Sequence, residues 1–117
     1  CTFAQYGALA AITGSRDCVR TMAEEFNRRR TLLSDGLQSI PGLKLLTPEG
    51  AFYAFPDASA WGLDSMTLCN RLLVEVGLAV VPGVAFGDDR CIRLSCAASD
   101  ATLLDGLERL RQFQASL

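Results

Sequence analysis

The chain has 117 residues, 50% of them hydrophobic and 21% charged, with 11 Lys plus Arg against 13 Asp plus Glu for a formal net charge of -2. That length supports one hydrophobic core and is too short for a two-domain enzyme. The charge balance argues against a nucleic-acid partner, because the one dense basic run, Arg28-Arg29-Arg30, stands beside Glu24 and Glu25. No apolar stretch approaches the roughly 20 residues that span a bilayer, and the chain does not open on a basic-then-apolar leader. A cytoplasmic protein with no membrane partner is therefore expected. The 5 cysteines form no CxxC pair and there is no histidine, so reduced thiols and no metal site are expected. The first residue is Cys1 and not Met, which reads as a piece of a longer product.

In chain order, residues 3–12 (FAQYGALAAI) are alanine-rich and end at Thr13-Gly14, predicting a short helix closed by glycine. Ser15 is placed to cap the next. Val19, Met22, Phe26, Leu33, Leu37 and Ile40 then recur at helical spacing, predicting one apolar stripe on a helix of about 25 residues, stopped by Pro41-Gly42. At 1.5 Å per residue that helix is about 37 Å long, more than a globule of this size needs, so it is expected to reach toward another body. LKLLT (43–47) and AFYAF (51–55), separated by Pro48-Glu49-Gly50, predict two short strands. Asp64 or Ser65 caps a third helix, predicted to turn Leu68, Leu72, Leu73 and Val76 inward and to end at a left-handed Gly77. LAVV (78–81) predicts a third strand, the loop PGVAFG (82–87) follows, and CIRLSC (91–96) predicts a fourth. Ser99-Asp100 opens a last amphipathic helix carrying Leu103, Leu104, Leu107, Leu110 and Phe113. The expected class is α+β in two layers: a long N-terminal helix, then a small, mostly antiparallel sheet of about four strands covered by helices. Residues 1–117 form one domain in this reading, with 1–42 a helical segment linking to an absent larger domain and 43–117 the sheet-and-helix core.

Few residues carry chemistry. Without histidine there is no Ser-His or Cys-His pair, and PGVAFG lacks the glycine spacing that cradles phosphate. Strand alternation puts Ile92, Leu94 and Cys96 toward the core and Arg93 and Ser95 on the opposite face. The planar fork of Arg93 suits a carboxylate; from periodicity alone it is equally a solvated strand arginine or one paired with an internal Asp or Glu. Phe52 and Tyr53 point to opposite faces, so one is expected in the core and the other at a cleft or interface, with plain packing of both as the alternative.

Taken together, FAQYGALAAI, the FNRRR run, PEGAFYAFPD, LLVEVGLAVVPGVAFG and IRLSCAAS with its trailing helix resemble, in order and spacing, the C-terminal part of fold-type-I, class I/II aminotransferases of the aspartate aminotransferase type. The resemblance covers nearly the whole chain. It implies the fold of the small domain of those enzymes and a parent that moves an amino group between an amino acid, possibly aspartate, and a 2-oxo acid. It further implies that Arg93 grips the substrate α-carboxylate, that Phe52 lies at the substrate pocket, and that the hydroxyl of Thr2 approaches a cofactor phosphate near a dimer interface. Pyridoxal phosphate is the implied cofactor of the intact enzyme, with none expected on this chain alone, because the Schiff-base lysine motif is absent and the only lysine, Lys44, lies outside it. No catalytic residue is therefore assigned. A homo-oligomer is expected, and the alternative is a free-standing, noncatalytic module that binds a carboxylate or pairs with its own copies.

Overall fold

The computed structural model describes residues 1–117. Helix α1 spans Thr2–Thr13 and α2 spans Asp17–Gln38, 22 residues. Ser15 contributes to the entry of α2 by accepting from the Asp17 amide at 3.1 Å, although Arg16 occupies the cap position itself. A short strand β1 (Tyr53–Ala54) follows, then a 3-10 turn at Ser59–Trp61 and helix α3 (Ser65–Val76). The Asp64 carboxylate accepts from the Thr67 amide at 2.8 Å at its start, and Gly77 ends it in the left-handed region at φ 65. Strand β2 (Val81–Pro82), a 3-10 turn at Gly83–Phe86, strand β3 (Ile92–Ser95) and helix α4 (Asp100–Ala115) complete the chain, with Ser99 capping α4 through Thr102.

The sheet is antiparallel in the order β1-β3-β2, with Tyr53 opposite Ser95, Ala54 opposite Leu94, Val81 opposite Arg93 and Pro82 opposite Ile92. Directly opposed residues share a face, so one face carries Ala54, Ile92 and Leu94 and the other carries Tyr53, Val81, Arg93 and Ser95. The first face meets Leu33 and Leu37 of α2, Leu68 and Leu72 of α3, and Leu107, Leu110 and Phe113 of α4 in one buried cluster. The class is thus α+β with helices over a small antiparallel sheet, as the pattern predicts.

Several local expectations are corrected. The sheet has three strands and not four: residues 43–47 form no strand, since Lys44 makes only an isolated bridge to Asp57, and of LAVV only Val81 enters a ladder. Ladders need partners, and neither segment has a neighbouring strand along its length. Leu73 and Leu104 face outward because each is adjacent in a helix to a residue already committed to the core, Leu72 and Leu103. Along α2 only the C-terminal half of the apolar stripe is covered: Leu33 and Leu37 are buried and Phe26 half-buried, whereas Val19 and Met22 are exposed. Phe52 and Tyr53 both remain exposed, so neither joins the core.

Residues 1–24 have no buried member, and the molecule measures 54 × 27 × 24 Å with a radius of gyration of 17.4 Å. A compact domain of this length would have a radius of about 13 Å. The excess comes from α1 and the first half of α2, which stand clear of the core. The covered half of α2 is tied to α4 by Arg28, whose guanidinium donates to both Asp100 oxygens at 2.7 and 2.8 Å and to both Glu25 oxygens at 2.9 and 2.8 Å. Those bonds hold the Glu25 and Asp100 carboxyls below their ordinary values, and the Arg90 guanidinium draws Asp88 down to about 2. Burial pushes the Cys69 thiol up to about 11.

Two measurements check this account. Leu37 is 0% exposed at the α2–sheet contact, so Leu37→Ala lowers the free energy of urea unfolding by about 2–5 kcal/mol. A carboxyl lowered in the folded state contributes stability that is present above its ordinary value and lost as pH falls, and a raised thiol contributes stability that is lost as pH rises above its ordinary value. Thermal midpoints are therefore level between about pH 5 and 9. They fall on the acid side as Glu25, Asp100 and finally Asp88 protonate, and on the alkaline side between the ordinary thiol value of 9.0 and about 11. Asp100→Asn shrinks the acid limb and Cys69→Ala the alkaline one.

Candidate functional site

The outer face of the sheet carries one cationic group. Arg93, half-buried in the middle of β3, lies with its guanidinium carbon 4.4 Å from the Phe86 ring centroid and 5.4 Å from that of Tyr53. Tyr53 reaches it from β1, two residues before Phe55 on the same face, and Phe86 reaches it from the end of the 3-10 turn. Tyr53, Phe55, Phe86 and Arg93 line a shallow cleft of about 180 Å³, several times the roughly 30 Å³ share of one water molecule and so large enough for a small carboxylate.

The electrostatics of this cleft are unusual for the molecule. Arg20, Arg28, Arg29, Arg71, Arg90, Arg109 and Arg111 each pair with a carboxylate, and Arg30 donates to Pro48 and Asn27. Arg93 is in no ion pair and no side-chain hydrogen bond; the only other arginine so placed, Arg16, is exposed between α1 and α2. The guanidinium is half-buried with its N–H donors unspent, and its planar fork has the geometry that suits a bidentate anion. The alternative of an internal Asp or Glu partner is thereby removed.

The turn that delivers Phe86 is tightly built. Ser65, 1% exposed at the start of α3, donates its hydroxyl proton to Asp89 Oδ1 at 2.6 Å and accepts from the Val84 amide at 3.1 Å. The Gly83 amide donates to the Cys91 carbonyl at 2.8 Å, and a Cβ on Gly83 would lie 2.2 Å from the carbonyl oxygens of both Asp88 and Cys91. Only glycine fits there.

Of the other residues singled out from sequence, Phe52 does not line the Arg93 cleft. Its ring stands edge-on to Tyr53 at 5.8 Å, and its carbonyl accepts from the Cys96 amide at 2.8 Å. Thr2 lines a separate depression on α1 with Gln5, Tyr6 and Leu9. Lys44 is exposed, its backbone paired with Asp57. An apolar hollow bordered by Leu33, Leu78, Val80, Leu94, Leu103 and Leu107 contains no ionisable group, and in another, between α2 and the 49–51 loop, Arg30 and Glu49 stand beside Phe26 and Asn27. Sequence reasoning missed Phe55, Phe86 and the Ser65–Asp89 pair. The two-residue spacing of Tyr53 and Phe55 signalled a shared face, but the reach of Phe86 across a turn left no periodic trace. No helix is long and apolar enough to cross a membrane.

Comparison with known proteins agrees with this layout. The probable aspartate/prephenate aminotransferase of Aquifex aeolicus is 44% identical over 116 residues, covering 95% of this chain and 29% of that protein. Among solved structures, the aromatic aminotransferase of Pyrococcus horikoshii superposes with a TM-score of 0.91 at 36% identity, over 98% of this chain and 32% of that one. The aspartate aminotransferase of Thermus thermophilus with maleate superposes at 0.86 and 42% identity, over 95% and 29%. The chain thus spans less than a third of the length of these relatives. The family model for aminotransferase class I and II matches residues 1–110, and with the fold and the relatives in agreement the chain belongs to that family.

Proposed function

We propose that the chain is the substrate-carboxylate-binding small domain of a pyridoxal-phosphate-dependent aminotransferase, one that transfers an amino group between an amino acid and a 2-oxo acid. Residues 1–24 link to the larger part, and the C-terminal half of α2 with the turn after it, through Leu33, Leu37 and Ile40, shares one core with residues 43–117. The observation that carries this reading is the unpaired fork of Arg93 in an aromatic cleft. Its chemistry is that of a positioning cation: two parallel N–H donors fix the plane of an α-carboxylate, and fixing that plane orients the adjoining Cα and amine toward the reacting group, which converts a diffusive encounter into a fixed approach. The Thermus relative was solved with maleate, a dicarboxylate, which supports a carboxylate as ligand; aspartate as donor rests on the relatives' names. Phe52 close to the substrate pocket, though not lining the Arg93 cleft, and Thr2 as a phosphate contact belong to this proposal on the family resemblance.

The chain's own residues do not fit the cofactor. Pyridoxal phosphate supplies an electron sink for amino-group transfer when held by a lysine amine, a partner for its ring nitrogen and a phosphate cradle. Here the single lysine, Lys44, is exposed on a loop, and the Arg93 cleft contains no lysine and no carboxylate. Apart from the Thr2 hydroxyl, the cofactor-holding groups are therefore assigned to the remaining two thirds of an intact enzyme.

A second, compatible reading concerns association. Phe3, Tyr6, Leu9 and Ile12 are all more than half exposed on α1, a helix without a charged residue. A helix that is apolar all round normally lies covered. This supports a homo-oligomer built through α1.

Two experiments test these readings. Substituted for the corresponding segment of the Aquifex relative, the chain yields an enzyme that transaminates, and Arg93→Met in it lowers kcat/KM by about 10²- to 10³-fold; equal activity of the variant sinks the assignment of Arg93. In sedimentation velocity the chain alone self-associates, and the double variant Phe3→Asp, Leu9→Asp sediments as a monomer; a wild type that is monomeric at all concentrations excludes pairing through α1.

A further inference from the structure

The geometry points to Phe86 and Tyr53 as positioning residues that hold the Arg93 guanidinium ready for its carboxylate, with the hydrogen bonds between buried Ser65 and Asp89 setting the turn that brings Phe86 there. This rests on the carboxylate reading of Arg93 and extends it to residues whose role that reading does not specify.

Arginine is a flexible side chain, and an unpaired one on a sheet face ordinarily samples many rotamers, so that binding a ligand requires it to be ordered first. In this structure two aromatic rings flank the guanidinium. The guanidinium lies over Phe86 at 4.4 Å and over Tyr53 at 5.4 Å, and Phe55 stands edge-on to Phe86 at 6.1 Å, which braces that ring from the strand side. Stacking on ring faces stabilises a cation without consuming N–H donors. A carboxylate partner would hold the arginine equally well but would occupy the donors that a substrate needs. Aromatic neighbours are therefore the chemistry that orders the fork and still leaves it free.

Phe86 is held from behind. Its turn runs from Gly83, where no Cβ fits, to Asp89, whose carboxylate accepts from both the Ser65 hydroxyl at 2.6 Å and the Ser65 amide at 3.0 Å. The same hydroxyl accepts from Val84, two residues before Phe86. Ser65 touches no part of the cleft, yet its three bonds fix the backbone on which Phe86 sits.

The test uses the 117-residue chain, 15N-labelled at arginine, with 3-phenylpropionate as probe and uncharged 3-phenylpropanol as control. In the wild type the Arg93 Nε–Hε signal is displaced upfield by the ring currents and shifts on addition of the acid but not of the alcohol. Phe86→Leu returns the signal toward its position in free arginine and weakens the acid by about three- to tenfold. Phe86→Tyr, which keeps a ring in place, restores both. Ser65→Ala moves the signal and the affinity in the direction of Phe86→Leu without altering any residue of the cleft; should that variant unfold, Phe86→Leu and Phe86→Tyr decide alone. Acid affinity and Arg93 signal unchanged in Phe86→Leu would overturn the positioning role, leaving the rings as packing. A wild type that binds no acid, or an Arg93→Met variant that binds it as well, would instead overturn the carboxylate reading on which the role depends.

Discussion

Strand β3 is the constraint from which the rest of the molecule follows. It is paired on both edges, to β1 through Tyr53 and Ala54 and to β2 through Val81 and Pro82, so its register is set from two sides. Alternation then sends Ile92, Leu94 and Cys96 into the helical layer and leaves Arg93 on the outer face. A slip by one residue would put a guanidinium among Leu37, Leu72 and Leu110 and expose three apolar side chains, a cost of several kcal/mol in either direction. The position of the arginine is thus enforced by the burial of its neighbours and needs no partner of its own.

That division of labour explains how a small sheet keeps an unpaired cation on its outer face. The inner face is stabilised by leucines from three helices and is independent of what the outer face carries. The outer face is free to use aromatic residues as the surroundings of an unpaired cation, because the energy for folding comes from elsewhere. The turn from Gly83 to Asp89 links the two roles: its anchor, Ser65, is buried at the start of α3, and its tip, Phe86, lies on the cleft. The core and the cleft meet in that loop, and the close contacts around Gly83 keep it in one shape.

At the other end of the molecule the balance is reversed. Helix α1 and the first half of α2 carry Phe3, Tyr6, Leu9, Ile12, Val19 and Met22 with nothing over them. Their helical form comes from alanine content and spacing, and no other element of the chain covers them. The structure is therefore stable where α2, α3 and α4 share the sheet, and open for association where α1 projects.

Helix starts and stops were legible from local chemistry: Asp64 and Ser99 cap α3 and α4, Gly77 closes α3, and the alternation in CIRLSC assigned each side chain of β3 to its face. These features depend on neighbours within a few residues, and so does their signal. What a segment pairs with is not local. LKLLT and LAVV have the composition of strands and yet contribute only an isolated bridge and one ladder residue, because a strand exists only where another lies beside it. Leu73 and Leu104 satisfy the apolar count of their helices and still face solvent, since docking selects which of two adjacent leucines turns inward. The surroundings of Arg93 belong to the same class. Its residue type and face could be read along the chain, but whether its fork met a carboxylate, solvent or aromatic rings depended on Tyr53, 40 positions before it, and on Phe86 beyond a turn. Only the folded chain brings those three together, because contacts across a sheet and a loop are selected by the packing of the whole core and leave no periodic mark in the order of residues.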